Sequence, residues 1–267
     1  MKASTSHPVI KLTREASSAS ARELVSEVPV SLTFNGVAHV VMMMSPRDLE
    51  DFALGFSLTE QIIKRPGDLE NLEVRPVEDG ILIQATIPKA QHHHLLEGRR
   101  NMVGQTGCGI CGVVELEHAI RPVPQLNARP KASQQALFKS LQSIAALQEL
   151  NQATGAAHAA ALVSDKGQII TLREDVGRHN ALDKLIGHIH RNHLPPDEGF
   201  VLLTSRCSHE LVQKAIILGT PLLVAISAPT SLAIELAIKS GLTLVALARP
   251  DAMLCFNDPH GVFNRKD

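Results

Sequence analysis

Apolar positions fall into short runs separated by polar punctuation, and their spacing alternates between the period of a strand and that of a helix. Residues 28–34 and 37–44 are apolar runs split by Asn35-Gly36, a pair suited to the left-handed turn of a hairpin, and they predict two antiparallel strands. Ser45 and Pro46 then suit the N-cap and first position of a helix in which Leu49, Phe52, Ala53 and Phe56 share one face up to about Ile62. Pro66-Gly67 ends it. Residues 72–75 and 81–87 flank Glu78-Asp79-Gly80 and predict a second hairpin. Upstream, residues 1–27 are poor in large apolar side chains and dense in Ser, Ala and charge, which predicts a mobile tail.

The second half is more regular. Leu137, Leu141, Ile144 and Ala145 mark a helix ending near Asn151, and residues 159–164 and 168–172 bracket the turn Asp165-Lys166-Gly167. Leu182, Leu185, Ile186 and Ile189 form the apolar face of the next helix. Strands at 200–204, 221–226 and 242–247 then alternate with helices at 208–219 and 229–240. Short, continuously apolar strands alternating with helices predict parallel strands covered on both faces, an α/β layered domain. The implied organisation is a tail at 1–27, a smaller α+β lobe at 28–121, a proline-bearing linker at 122–134 and an α/β domain at 135–267.

Hydrophobic residues at 44% against 20% charged describe a globular chain, and a formal net charge of −1 removes bulk attraction to nucleic acid or anionic membrane. With no Trp, no Tyr and seven Phe, stacking platforms for bases or sugars have little to be built from. The most apolar stretch, 221–249, is interrupted by Pro229, Glu235 and Lys239 and predicts buried core rather than a membrane span. No secretory signal is legible in the first 20 residues, so a cytoplasmic location is expected. Four cysteines are too few for a disulfide scaffold.

Three polar segments stand where parallel strands end and helices begin: Ser205-Arg206-Cys207-Ser208, Ser227-Ala228-Pro229-Thr230-Ser231 and Ala248-Arg249-Pro250-Asp251. Hydroxyls, helix N-termini and arginines at the carboxyl ends of strands suit a phosphate-bearing ligand, although helix capping alone also explains the hydroxyls. A denser polar cluster runs from Arg173 to Lys184. It has the donors and acceptors that a heterocycle or phosphate requires. Taken blandly, Asp175 or Asn180 caps a helix there, and Arg178, Asp183 and Lys184 form its wet face.

Cys108 and Cys111 form a CxxC inside Thr106-Gly107-Cys108-Gly109-Ile110-Cys111-Gly112. A zinc site needs about four ligands, yet Cys207 and Cys255 are isolated and His92-His93-His94 reads as a solvated run. A thioredoxin-like pair would start a helix at the first cysteine, where glycines stand instead. Sulfur transfer by a flexible arm fits the glycines, since a thiolate can hold a sulfane sulfur as a persulfide and a second thiol can resolve it. Two inert thiols in a turn complete the alternatives.

Four separated motifs agree in order with one family: TGCGICG at 106–112, REDVGRHNALDKLIG at 173–187, TSRCSHELVQKA at 204–215 and SAPTSLAIELAIKSGLTLVALAR at 227–249. The chain resembles the formate dehydrogenase accessory sulfurtransferases of the FdhD type, from the first strand to the C-terminus. That resemblance implies a fold similar to cytidine deaminases and a homodimer. It also implies transfer of sulfur from a cysteine desulfurase to the molybdenum (or tungsten) bis(molybdopterin guanine dinucleotide) cofactor of formate dehydrogenase. The family's persulfide cysteine falls on Cys108, with Cys111 assisting. Its cofactor-binding segment falls on Leu247, Ala248, Arg249, Pro250, Asp251 and Ala252, with Arg206, Ser227 and Thr230 from the neighbouring loops expected to join it. Leu247, Asp251 and Ala252 depart from the family's usual aromatic, glycine and second basic residue. The H-x-E and P-C-x-x-C signature of zinc deaminases is missing, so a shared fold would not bring their chemistry. The rival reading is a non-catalytic chaperone that binds and delivers the guanine-dinucleotide cofactor.

Overall fold

The computed structural model describes residues 1–93, 95 and 122–263. The apolar runs on either side of Asn35-Gly36 form β3 (Val28–Phe34) and β4 (Val37–Met44), and the second pair forms β5 (Glu70–Val77) and β6 (Gly80–Thr86). These four make a sheet in the order β4-β3-β6-β5, with β3 parallel to β6 and the other pairs antiparallel. Helix α1 (Leu49–Thr59) packs on it, and Val30, Leu32, Phe34, Phe52 and Ile83 are buried in one cluster.

The helix starts later than its capping signals predict. Ser45 is not its N-cap, because the Ser45 hydroxyl and amide both donate to the Asp175 carboxylate, at 2.8 and 3.0 Å. The chain therefore enters α1 through Asp48, whose left-handed backbone (φ 53°) makes the turn. Residues 1–27 also depart from expectation: β1 (Ser4–Leu12) and β2 (Ser17–Val25) pair antiparallel over nine residue pairs. A hairpin ribbon pairs its inward-facing backbone groups and leaves the outward ones to water, without needing a core, so the polar composition that suggested a tail did not exclude strands. Arg22 fastens the ribbon to the second half by donating to the Thr154 carbonyl at 3.2 Å.

In that half, α2 (Gln134–Leu147) and α3 (Glu149–Thr154) replace the single expected helix; the break falls at Gln148 (φ −84°, ψ 73°). The Glu174 carboxylate accepts from the amides of Leu150 and Asn151, both at 2.8 Å, and holds the first turn of α3. There follow β7 (His158–Ser164), β8 (Ile169–Asp175), α4 (Arg178–Arg191), β9 (Gly199–Leu203), α5 (His209–Leu218), β10 (Leu222–Ala225), α6 (Ser231–Ser240), β11 (Thr243–Ala246) and β12 (Leu254–Asn257).

The six strands form one mixed sheet in the order β12-β11-β10-β9-β7-β8. The strands that alternate with helices, β9, β10 and β11, are mutually parallel as expected, whereas β7, β8 and β12 pair antiparallel, which makes the sheet mixed. The tight turn at Asp165-Lys166-Gly167 forces β8 back along β7. Strand β12 is four residues of half-exposed edge, at the end of the short apolar run 252–256 that the strand reading left out. Alternate strand residues feed two cores. Leu203, Leu223 and Leu244 pack with α4, α5 and α6, whereas Leu202, Val224 and Val245 pack with α2 on the other face.

The two halves are joined by α1 lying on α4. A Cβ added to Gly55 would sit 1.8 Å from the Asp183 carbonyl oxygen, and one on Gly187 would sit 1.8 Å from that of Asp51, so both crossing points require glycine. Among the described residues, no helix is long and apolar enough to cross a membrane.

Candidate functional site

Beyond the carboxyl ends of the parallel strands, the three expected loops are laced together by their backbones. The Ser227 amide donates to the Ser205 carbonyl (3.4 Å), Cys207 to Ala228 (3.1 Å), Thr230 to Cys207 (3.0 Å), and Leu247 to Ser227 (3.2 Å). Three separate stretches of sequence thus form one continuous rim. Thr230 caps α6 by accepting from the Ala233 amide at 3.2 Å, while Ser208 at the start of α5 makes no side-chain cap.

Leu247 has a left-handed backbone (φ 51°), which a bulky residue seldom adopts, and this turn swings the chain across the rim. Ala248 is buried against the α2 face, its amide on the Ala225 carbonyl at 3.2 Å. Arg249 closes a small turn through its amide on Ala252 (2.8 Å), leaving Arg249, Pro250, Asp251 and Ala252 exposed. Arg206 is exposed on the neighbouring loop, and Ser227 is half-buried between the two.

Further basic side chains gather at the same edge. His158 opens β7 opposite Asp175, and burial, then the positive charges of Arg178 and Arg206, hold its imidazole below the ordinary histidine range. Among the described residues, the buried Arg178 Nε has no hydrogen-bond partner. His179 approaches Ser208 Oγ at 3.3 Å and Glu210 at 3.4 Å. The rim can therefore present guanidinium groups, hydroxyls and helix-start amides to an anion.

Most of the polar segment from Arg173 to Lys184 does different work. Asp175 accepts from Lys184 Nζ (2.6 Å), Ser45 and the Gly177 amide, and the Asn180 amide donates to the Met43 carbonyl (3.0 Å). Asp183 accepts from Thr59 (2.7 Å) and Lys214 (3.0 Å). Asp183 and Lys184 are buried, so they are not a wet helix face. Neither Asp175 nor Asn180 is the N-cap of α4; that position is Gly177, which has no side chain to cap the helix, and its amide donates to the Asp175 carboxylate at 2.8 Å. Of this cluster only Arg178 and His179 reach the rim. Ser45 and Lys214 complete its buried network, and no sequence spacing marked them, because their partners lie more than a hundred residues away or in another helix.

Cys207 is fully buried, and burial pushes its thiol up to about 12. Cys255 is exposed on β12, its thiol raised by partial burial and by Asp258. Cys108 and Cys111 lie outside the described residues. Among the described residues no three His, Cys, Asp or Glu side chains are grouped to hold a metal ion.

Residues 25–263 match the model of the FdhD/NarQ family. A sulfur carrier protein FdhD from Variovorax paradoxus (strain S110) is 45% identical over 233 residues, covering 87% of this chain and 84% of that protein. One of the same name from Xanthomonas campestris pv. campestris (strain B100) is 43% identical, covering 92% and 88%. Among solved structures, a protein from Desulfotalea psychrophila proposed as a formate dehydrogenase accessory protein superposes with a TM-score of 0.73. At 24% identity it covers 98% of this chain and 100% of its own, and it shares the fold.

Proposed function

The chain belongs to the FdhD/NarQ family, and from that premise we propose that it is a sulfurtransferase that carries sulfur as a persulfide on Cys108. The sulfur comes from a cysteine desulfurase and goes to a molybdenum or tungsten bis(molybdopterin guanine dinucleotide), the cargo bound for formate dehydrogenase. The observation that carries this is the state of the other thiols. Cys207 is sealed in the core with its thiol at about 12, and the Cys255 thiol is also raised, so neither favours the thiolate that sulfur exchange requires. That leaves the Cys108/Cys111 pair.

The exchange balances without an outside oxidant. The Cys108 thiolate attacks the terminal sulfur of the desulfurase persulfide, the desulfurase S–S bond breaks, and its cysteine leaves as a thiolate. Cys108 then holds the sulfane sulfur until an acceptor takes it, and Cys111 protects or resolves it by the same kind of exchange. The laced rim with Arg206, Ser227, Thr230 and Arg249 supports binding of the cargo's phosphates. The same reading includes a homodimer in the cytoplasm and a layered fold akin to cytidine deaminases.

Incubation with a cysteine desulfurase and cysteine, followed by peptide mass spectrometry, should place one added sulfur on the Cys108 peptide. Cys108→Ala should lose that label and the ability to activate formate dehydrogenase, with nucleotide binding intact; Cys111→Ala should show a smaller defect. Full activation by Cys108→Ala would instead establish the rival, a chaperone that delivers the cofactor without carrying sulfur.

A further inference from the structure

The ribbon of β1 and β2 has one apolar face, and that face is exposed. Alternate residues of a strand share a face, so Pro8, Ile10 and Leu12 stand together, with Ala21 and Ala19 opposite the first two on β2. Ile10 and Leu12 keep 71% and 76% of their surface in water. The Ser26 amide donates to the Ala3 carbonyl and the Thr13 amide to Ala16, so the odd-numbered residues of β1 turn their backbone groups toward β2. Those of Ile10 and Leu12 therefore face the open edge. A two-stranded ribbon is only marginally stable by itself, and an open edge bearing large apolar side chains is a template for pairing with another chain.

A second feature of this kind lies on the six-stranded sheet. Strand β8 is the edge of that sheet, and its consecutive residues 169–174 line a groove of about 330 Å³, as they do when a strand's backbone edge faces the groove. The pairing agrees. The Ala159 carbonyl accepts from the Thr204 amide on the β9 side, so alternation turns the backbone groups of Leu172 and Glu174, opposite Ala161 and Ala159, away from β7. The Leu172 carbonyl accepts from the Arg173 guanidinium at 2.9 Å, and the other three groups have no partner among the described residues. Leu147 and Ile170, the latter 49% exposed, supply apolar wall, and Arg47 and Glu149, paired at 3.7 Å, complete it.

We propose that the groove beside β8 receives the ribbon of a second copy of this chain, β1 adding to β8 as a further strand with Ile10 and Leu12 against Leu147, Ile169 and Ile170. Within one chain Ile10, Leu12 and Ile170 all stay exposed, so the contact needs another copy. A two-fold pair exchanges two ribbons, and each exposed feature then meets its complement on the partner. A ribbon of nine pairs is about 30 Å long and about 10 Å wide. Two such faces and the two surfaces they cover take on the order of 1,200 Å² from water, which reaches the size of a stable interface. The assignment rests on the homodimer of the reading above and adds to it the surfaces that form the pair.

Sedimentation equilibrium on the full chain tests this. The wild type should be a dimer at micromolar concentration. Ile10→Asp with Leu12→Asp on the ribbon, and Ile170→Lys in the groove, replace exposed side chains and should leave the circular dichroism of the fold unchanged. Each variant should raise the dimer Kd roughly 10- to 100-fold, the scale of a buried Leu or Ile side chain returned to water. A mixture of the ribbon variant with the groove variant should associate more tightly than either alone, because in the mixed pair one contact is wild type and the other sets Asp against Lys. A dimer unchanged by both variants, or weakened by only one of them, would overturn the assignment and leave the homodimer standing, with the groove open to an extended segment of another protein. A mixture no tighter than its better component would overturn the exchange of ribbons. A wild-type chain that stays monomeric across the concentration range would overturn the homodimer and this assignment together.

Discussion

Lys184 is buried with its ammonium 2.6 Å from Asp175 and 3.0 Å from both the carbonyl and the hydroxyl of Ser45. Every donor it carries has an acceptor, which is the condition under which a buried lysine is tolerated. Burial still pulls it below the ordinary lysine range, against Asp175. Lys184→Met should therefore cost about 3–5 kcal/mol in denaturant unfolding, because it strands the Asp175 charge, whereas pairing it with Asp175→Leu should recover much of that loss. A double variant no more stable than the single one would mean that the two residues do not act as a pair. Asp68 shows the opposite situation in a simpler form. Its carboxylate accepts from Gln91 (2.9 Å), Arg65 (2.9 Å) and the Lys64 amide (3.2 Å). The hydrogen bonds from Gln91 and Arg65 lower it from 3.8 to about 2. A carboxylate depressed in the folded state contributes stability that is fully present above its unfolded value and is lost as pH falls through the folded one. Melting temperatures followed from pH 5 down to pH 2 should thus fall more steeply for the wild type than for Asp68→Asn, and parallel curves would remove Asp68 from the acid response.

At the scale of elements, the crossing of α1 on α4 shows why glycine can be required inside a helix. Alanine at a helical glycine normally gains about 0.5–1 kcal/mol in propensity. At Gly187 the added methyl would meet the Asp51 carbonyl at 1.8 Å, and overpacking against backbone costs about 1–3 kcal/mol or more. The clash wins, so Gly187→Ala should lower stability despite improving helix propensity; a neutral or raised unfolding midpoint would show that the helices can separate without penalty. No periodicity in the sequence announces such a contact, because it depends on which helices meet. Features that depend on neighbours in sequence were legible: the turn at Asn35-Gly36, the apolar faces of α1 and α4, the three rim loops after β9, β10 and β11. Those that depend on distant partners were not. Ser45 has the residue type and position of an N-cap, and only the arrival of Asp175 from the other half of the chain takes it away. Gln148 stood inside an apparently continuous helix, and β12 exists because β11 offers an edge to pair with.

At the scale of the whole molecule, the described residues form separate hydrophobic cores, one in the four-stranded lobe and two on the faces of the six-stranded sheet. Separate cores usually melt separately unless the boundary between them is strong. Here the boundary carries three buried or half-buried charge clusters: Arg173 on Asp51 (2.9 Å), Lys184 on Asp175 and Ser45, and Lys214 on Asp183, Thr59 and Glu60. Arg173 pairs with Asp51 and Lys214 with Glu60 across the boundary, while the Lys184–Asp175 and Lys214–Asp183 pairs lie within the six-stranded half and reach across it by hydrogen bonds to Ser45 and Thr59; these cross-boundary contacts are lost together if the halves part. Opening the boundary is therefore costlier than exposing its apolar area alone. We expect the wild-type chain to unfold in a single calorimetric transition, with the calorimetric and van't Hoff enthalpies equal. Lys214→Met combined with Lys184→Met should weaken two of the three clusters and split that transition in two, the four-stranded lobe melting first because its sheet and one helix form the smaller core. The ligand supplies an independent check, since a nucleotide held by the six-stranded half at 100 times its Kd adds about 2.7 kcal/mol to whatever unit unfolds with the site. In the wild type that stabilisation should raise the whole transition. In the double variant it should raise only the later one. Two transitions in the wild-type chain, only one of them moved by GDP, would show that the charge clusters do not couple the halves.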